Sequence, residues 1–180
     1  PLNHENNYTF LIAVLLSANS TDNSVNKVTP HLFSLANNPK KMTLLSYEKV
    51  YSILKPCGLG PAKAKAILEL SEILINNYNS LIPKNFQDLE SLPGVGHKTA
   101  SVVLSQKFNL PAFAVDTHVH RLMYRWGLSN GKNVTQTEKD AKRLFPMRLW
   151  NKLHLQMVYY GREYCPAKNF NPEKCPITSV

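Results

Sequence analysis

The sequence predicts an all-α protein on three observations: apolar residues recur at spacings of three and four along most of the 180 residues, alternating strand patterns are scarce, and helix-capping signals stand before the periodic runs. A chain of this length buries a sizeable apolar interior, either as one large domain or as two smaller ones. Its 43% hydrophobic content fits a globular protein.

The first helix covers about residues 7–17, with Phe10, Leu11, Val14 and Leu15 on one face and little that is polar opposite, the pattern of a central core helix. It ends in the polar cluster Ser17-Ala18-Asn19-Ser20-Thr21-Asp22. Thr21 or Asp22 then caps a second helix that turns Val25, Val28, Leu32 and Phe33 inward and is expected to bend at Pro30. A third helix fits residues 46–55, closed by Pro56 and Gly58. Pro61 stands at a first helical position, and the run to residue 78 buries Ile67, Leu70, Ile73 and Leu74 while turning Lys63 and Lys65 to solvent.

Asn85-Phe86-Gln87-Asp88 has the form of a capping box and opens a short helix ending at Leu92. Another helix starts at His97 and runs to about residue 107, so a helix-hairpin-helix is expected over about residues 85–107. Beyond Pro111 the chain is extended until Asp116 or Thr117 caps a helix carrying Val119, Leu122, Met123 and Trp126. Thr135-Gln136-Thr137-Glu138 reads as a second capping box, starting a helix that stops at Pro146. The last clear helix covers residues 151–161, with Leu153, Met157 and Val158 inward and Gly161 as its terminator. Pro111 breaks the helical pattern and divides the chain into two expected lobes, residues 1–109 and 110–180.

Lysine and arginine total 21 against 12 acidic residues, a net charge of +9 and a pI near 9.5, which suits a polyanionic partner such as nucleic acid; ordinary solubility charge is the alternative. The longest apolar run, Phe10 to Leu16, is far shorter than the roughly twenty residues that cross a bilayer, so neither a membrane span nor a signal peptide is expected. Cys57, Cys165 and Cys175 make no disulfide framework and point to a reducing compartment. The chain opens at Pro1 without methionine, so the natural start is expected upstream.

The segment Leu92-Pro93-Gly94-Val95-Gly96-His97-Lys98-Thr99-Ala100 concentrates the chemistry. Glycines allow a tight turn and close backbone approach to a ligand. Lys98 follows the turn, and in the first turn of a helix the dipole and the outward amides favour anions over a protonated amine. One segment thus offers both a phosphate cradle and an amine nucleophile, or else a solvated surface lysine after a loop. Downstream, Val115-Asp116-Thr117-His118 adds a carboxylate that either serves chemistry or plainly caps its helix.

Taken together, these two segments resemble the helix-hairpin-helix DNA glycosylase superfamily and, within it, the endonuclease III family. The resemblance runs from about residue 8 to 164 and includes Leu15-Leu16-Ser17-Ala18-Asn19-Ser20-Thr21-Asp22, Gly58-Leu59 with Lys63-Ala64-Lys65, and Tyr160-Gly161-Arg162 before the cysteines. It implies a helical barrel lobe containing the hairpin, a second helical lobe, and DNA across the cleft between them. It also implies that Lys98 is the nucleophile and Asp116 the catalytic carboxylate. A lysine at that position implies a bifunctional glycosylase and lyase. The residues agree with this chemistry: a carboxylate steadies the positive charge that builds on the sugar as an N-glycosidic bond breaks, and a neutral amine captures C1′ as a Schiff base. Partial burial and the helix start are expected to favour that neutral amine.

The resemblance further implies that Gly94 and Gly96, with the amides of Val95 to Lys98, hold a DNA phosphate without reading sequence, and that the hairpin carbonyls can hold a monovalent cation. His97 stands where many relatives carry arginine or lysine, so its phosphate contact is expected to be weaker and pH-dependent, with simple exposure as the alternative. Thr99, Thr117 and His118 complete the expected DNA contacts. Asn19 sits where the family commonly has glutamine, a residue that fills the space of an extruded nucleotide; the alternative is that it merely ends the first helix. His118 and His120 lack the carboxylate or cysteine company of a metal site, so capping or a phosphate contact is expected of them.

The C-terminus departs from the family. Relatives end in Cys-x6-Cys-x2-Cys-x5-Cys around a [4Fe-4S] cluster, which needs four ligands. Here Cys165 is followed by a longer gap and Cys175, with Thr178 at the next ligand position counted from Cys175 and no further cysteine, so no complete cluster is expected and both cysteines read as an incomplete remnant. The implied partner is duplex DNA carrying an oxidised or ring-saturated pyrimidine or an abasic site, bound by a monomer away from any membrane. Two alternatives stand beside it: a glycosylase for another base, such as 8-oxoguanine or a mismatched base, and a non-catalytic helix-hairpin-helix DNA-binding module.

Overall fold

The computed structural model of the protein describes residues 1–177. Ten helices follow in chain order: α1 (Asn7–Ser17), α2 (Asp22–Leu35), α3 (Pro39–Met42), α4 (Tyr47–Leu54), α5 (Gly60–Tyr78), α6 (Phe86–Ser91), α7 (His97–Lys107), α8 (Thr117–Arg125), α9 (Val134–Leu144) and α10 (Trp150–Glu163). Two short 3₁₀ turns lie at Met147–Leu149 and Pro172–Lys174, and there is no strand among the described residues. None of the described helices is long and apolar enough to cross a membrane.

The chain divides into two compact units, Pro1–Val103 and Leu104–Val180. The division falls inside α7, which runs unbroken to Lys107, whereas Pro111 lies in the extended stretch beyond that helix.

In the first unit α1 is the axis of the core. Every residue from Tyr8 to Leu16 is buried, as expected of a helix that is apolar all round. Its start is fixed by Asn6, whose side chain accepts from the Thr9 amide at 2.9 Å while the Asn6 amide donates to Thr9 Oγ1. The Tyr8 hydroxyl meets Ser71 Oγ at 2.6 Å in the interior, and burial pushes the phenol well up, with the Ser71 bond opposing. Thr21 caps α2, Ser46 caps α4 and Asn85 caps α6, each accepting from an amide three residues on. The nineteen-residue α5 packs against α3 and α4, and α2 packs against α1 and α4.

Lys63, expected at the surface, is only 5% exposed. It lies on the face of α5 that also buries Ala64, Ile67 and Leu70, and periodicity cannot separate a snorkelling lysine from one whose ammonium finds acceptors inside.

The second unit closes around Phe113, Val115, Val119, Leu122, Met123, Ala141, Met157 and Cys165, with Trp126, Phe145 and Trp150 packed against them. Helix α8 packs against both α9 and α10. Two helix boundaries differ from expectation. Helix α9 is capped by Asn133, whose Oδ1 accepts from the Gln136 amide at 2.8 Å, so Thr135 lies inside the helix. Asn133 offers an equally short acceptor two residues earlier, which the Thr-x-x-Glu pattern hid. Helix α10 begins at Trp150 and continues past Gly161 to Glu163. Gly161 is buried within it, and a Cβ there would stand 3.1 Å from both Cβ and Nδ1 of His118. This glycine serves close approach rather than helix termination.

Candidate active site

The hairpin is α6, a turn, and α7. Leu92 is buried and its carbonyl accepts the Val95 amide at 3.1 Å, which closes the turn. Gly94 has φ +75, and an added Cβ would lie 2.9 Å from Ala66 Cβ and 3.0 Å from Leu15 Cδ1, so both backbone conformation and packing require glycine there. Gly96 differs, because a Cβ would meet nothing within 4 Å. The fold itself does not need that glycine, and its absence of a side chain keeps the start of α7 open to an approaching group. Val95 is buried and its amide is committed to Leu92, so it does not supply the phosphate-facing amide expected of it.

Lys98 lies in the first turn of α7 and is exposed, not partly buried. A helix start directs its first amides outward instead of along its own ladder, so an amine held there sits beside groups that attract anions. Thr99 is 7% exposed, so little of it is open to an external contact. His97 is neither idle nor simply solvated: its ring stacks on Phe86 with centroids 4.9 Å apart, and Nδ1 lies 2.6 Å from Glu90 Oε1. Both partners sit on α6, so His97 ties the two hairpin helices together.

In the second unit Asp116 is the N-cap of α8. Its Oδ1 accepts from the His118 amide at 2.9 Å and from the Val119 amide at 2.8 Å. The capping role is therefore present, and one oxygen carries both bonds. Thr117 is exposed beside it. His118 is half-buried, and Arg121 Nη2 lies 2.9 Å from its Nδ1. A guanidinium has no acceptor, so Nδ1 must accept and the ring proton resides on Nε2. Burial lowers the His118 pKa, with Asp116 opposing and Arg121 adding to the fall, which keeps the ring neutral near pH 7.

Arg121, for which periodicity gave no signal, also donates to the carbonyls of Gly161 at 2.9 Å and Cys165 at 3.1 Å. His120 is taken up by Thr137 Oγ1 at 2.8 Å. Among the described residues no three histidine, cysteine or acidic side chains form a group that could hold a metal ion.

Asn19 stands exposed between α1 and α2 with φ 55, a left-handed conformation that asparagine tolerates better than most residues. The hairpin belongs to the same neighbourhood, since Gly94 packs on Leu15 near the end of α1.

Cys165 and Cys175 are fully buried. Arg125 Nη1 donates to Cys165 Sγ at 3.1 Å, and the Tyr160 hydroxyl lies 3.1 Å from Cys175 Sγ. The Tyr160 pKa is pushed up to about 12 by burial first and then by the Cys175 contact. Counted from Cys165, the family spacing puts Pro172 at the second ligand position and Cys175 at the third, a better register than one that starts from Cys175. Proline offers no ligand atom, so the described residues do not fit a four-cysteine cluster. Thr178 lies outside the described residues.

The class of protein follows from comparison with known ones. Residues 12–147 match the family model of the HhH-GPD superfamily base excision DNA repair protein. The endonuclease III of Rickettsia prowazekii is 43% identical over 174 residues, covering 97% of this chain and 82% of that protein. Two solved structures are also similar. One is a non-covalent endonuclease III–DNA complex (TM-score 0.95, 38% identity, 99% of this chain and 84% of that one), and the other a trapped endonuclease III–DNA covalent intermediate, an estranged-adenine complex (TM-score 0.94, 39% identity, 98% and 83%). The chain belongs to the endonuclease III family.

Proposed function

We propose that this DNA glycosylase of base excision repair removes oxidised or ring-saturated pyrimidines from duplex DNA and then nicks the abasic strand by β-elimination. The observation that carries the reading is Lys98, exposed in the first turn of α7 directly after the glycine turn. A similar protein has been trapped as a covalent intermediate with DNA, which supports an amine that bonds to the sugar.

As the C1′–N bond breaks, its electron pair leaves with the base and positive charge develops on the sugar, where the Asp116 carboxylate stabilises it. The neutral Lys98 amine bonds to C1′; one of its protons passes to O4′ as the C1′–O4′ bond breaks, and the opened sugar is left as a protonated Schiff base. The C2′ proton is then acidic; its removal expels the 3′-phosphate, and water releases the lysine. The turn that Gly94 makes possible, the open backbone at Gly96 and the first amides of α7 grip the neighbouring phosphate, with Thr117 and the Nε2–H of His118 as further contacts. Asn19 fills the gap left by the extruded nucleotide, because the glycosidic bond is out of reach inside the stack. This work requires access to the genome, so the protein acts in the compartment that holds it.

The cysteine loop is held by packing and by the Arg125 and Tyr160 hydrogen bonds, without a complete [4Fe-4S] cluster. Iron and sulfide analysis of anaerobically purified protein tests this point; stoichiometric iron would refute it. For the reaction itself, an abasic duplex and sodium borohydride should give a covalent adduct that disappears in Lys98→Ala. DNA binding without any adduct in the unmodified protein would leave a non-catalytic module instead.

A further inference from the structure

A buried ammonium lies directly beneath the Asn19 turn. Lys63 Nζ donates to the carbonyls of Leu16 at 2.8 Å and Ala18 at 2.5 Å, and to Ser20 Oγ at 3.0 Å. An ammonium has three N–H bonds, and all three are used. The Leu16 carbonyl lies in the last turn of α1 and the Ala18 carbonyl just past its end, where helix carbonyls lack intrahelical donors and the dipole is negative. The three acceptors bracket Asn19, with Ala18 before it and Ser20 after it.

Two further contacts hold the same turn. The Gly58 amide donates to Ser20 Oγ at 3.1 Å, and a Cβ at Gly58 would stand 2.7 Å from the Asn19 carbonyl. Asn19 itself keeps φ 55 and presents its side chain outward. A short loop with an exposed tip would ordinarily sample several conformations. Here the two residues flanking the tip are tied to one buried cation, which is itself fixed on the rigid nineteen-residue α5.

We infer that Lys63 is a positioning residue for base extrusion: its ammonium, with Gly58 closing the turn from the other side, sets the left-handed conformation in which Asn19 enters the duplex. This rests on the wedge role given to Asn19 above. Lys63 is buried with all three N–H bonds spent inside the protein, so its effect on extrusion is exerted through the Asn19 turn.

Two reactions of the same enzyme separate this role from simple support of the fold. Excision of a paired damaged base from duplex DNA requires extrusion, whereas borohydride trapping on a single-stranded abasic oligonucleotide does not. In Lys63→Met the ratio of the first rate to the second should fall at least about tenfold, since small misplacements of positioning groups cost up to about 10²-fold. The fluorescence of 2-aminopurine beside the lesion, which reports extrusion, should rise less than with the unaltered protein. Asn19→Ala should lower the same ratio, and the double variant should be no worse than the poorer single one, because both remove one function.

If Asn19→Ala leaves the ratio unchanged, the wedge reading itself is wrong and the inference falls with it. If Asn19→Ala lowers the ratio while Lys63→Met, folded by circular dichroism, does not, Lys63 is structural only. Should Lys63→Met fail to fold, Gly58→Ala decides: it keeps the charge and presses on the Asn19 carbonyl, and an unchanged ratio there would overturn the inference.

Discussion

Two lysines of the first unit meet helices at opposite ends. Lys63 reaches the C-terminal end of α1, where carbonyls and the negative end of the dipole receive its charge, and it is 5% exposed. Lys98 stands at the N-terminal end of α7, among outward amides that its positive charge does not complement, and it is exposed. The same side chain is thus a buried, hydrogen-bonded structural cation in one place and an exposed, accessible amine in the other.

The largest expected effect separates the two on chemistry. Lys98→Ala should lower lyase turnover on a single-stranded abasic oligonucleotide by more than about 10³-fold, as for loss of a covalent nucleophile. Lys63→Met should lose at least about tenfold less on that substrate. Equal losses would erase the distinction between the two ends.

Stability should reverse the order. Lys63→Met leaves the buried Leu16 carbonyl and the part-buried Ala18 carbonyl without their shared donor and should cost about 1–3 kcal/mol in urea unfolding. Lys98→Met removes a cation from a helix start and should change stability by less than about 1 kcal/mol, in the stabilising direction. A stable Lys63→Met protein would mean that the turn relaxes around water.

The glycine beside each lysine sharpens the contrast further. Gly58→Ala would drive a Cβ to 2.7 Å from the Asn19 carbonyl and should destabilise by about 1–3 kcal/mol. Gly96→Ala meets open space and should leave the melting temperature nearly unchanged while weakening DNA binding in a fluorescence-anisotropy titration. A melting loss at Gly96 as large as at Gly58 would show that both glycines serve the fold. The smallest effect belongs to Lys65→Ala. Its exposed pair with Glu69, at 3.7 Å, is worth less than about 0.5 kcal/mol, and a larger loss would mean that burial is not what distinguishes Lys63.

Much of the fold was legible because its signals are local. Asn6, Thr21, Ser46 and Asn85 start helices through bonds spanning three residues, and the positive φ of Gly94 answers to a turn of four. The helix-hairpin-helix and the Asp116 cap followed from such patterns. Misreadings came where a local pattern had two meanings. A glycine near a helix end signals termination or close packing, and Gly161 serves packing against His118. Thr135 and Glu138 looked like the two ends of a capping box, yet Asn133 caps first and Thr137 turns to His120. The four-residue α3 carries too short a pattern to be read at all.

By itself the sequence determined most of the helices and their caps and the glycine turn, since these depend on neighbours within one helical turn, and it carried the order of lysine and aspartate that marks the family. Only the tertiary structure decided which lysine is buried and which distant carbonyls Arg121 holds. The physical reason is distance along the chain. Lys63 is satisfied by Leu16, 47 residues away, and Arg121 is anchored by Gly161, 40 residues away; such pairings exist only once the chain has folded.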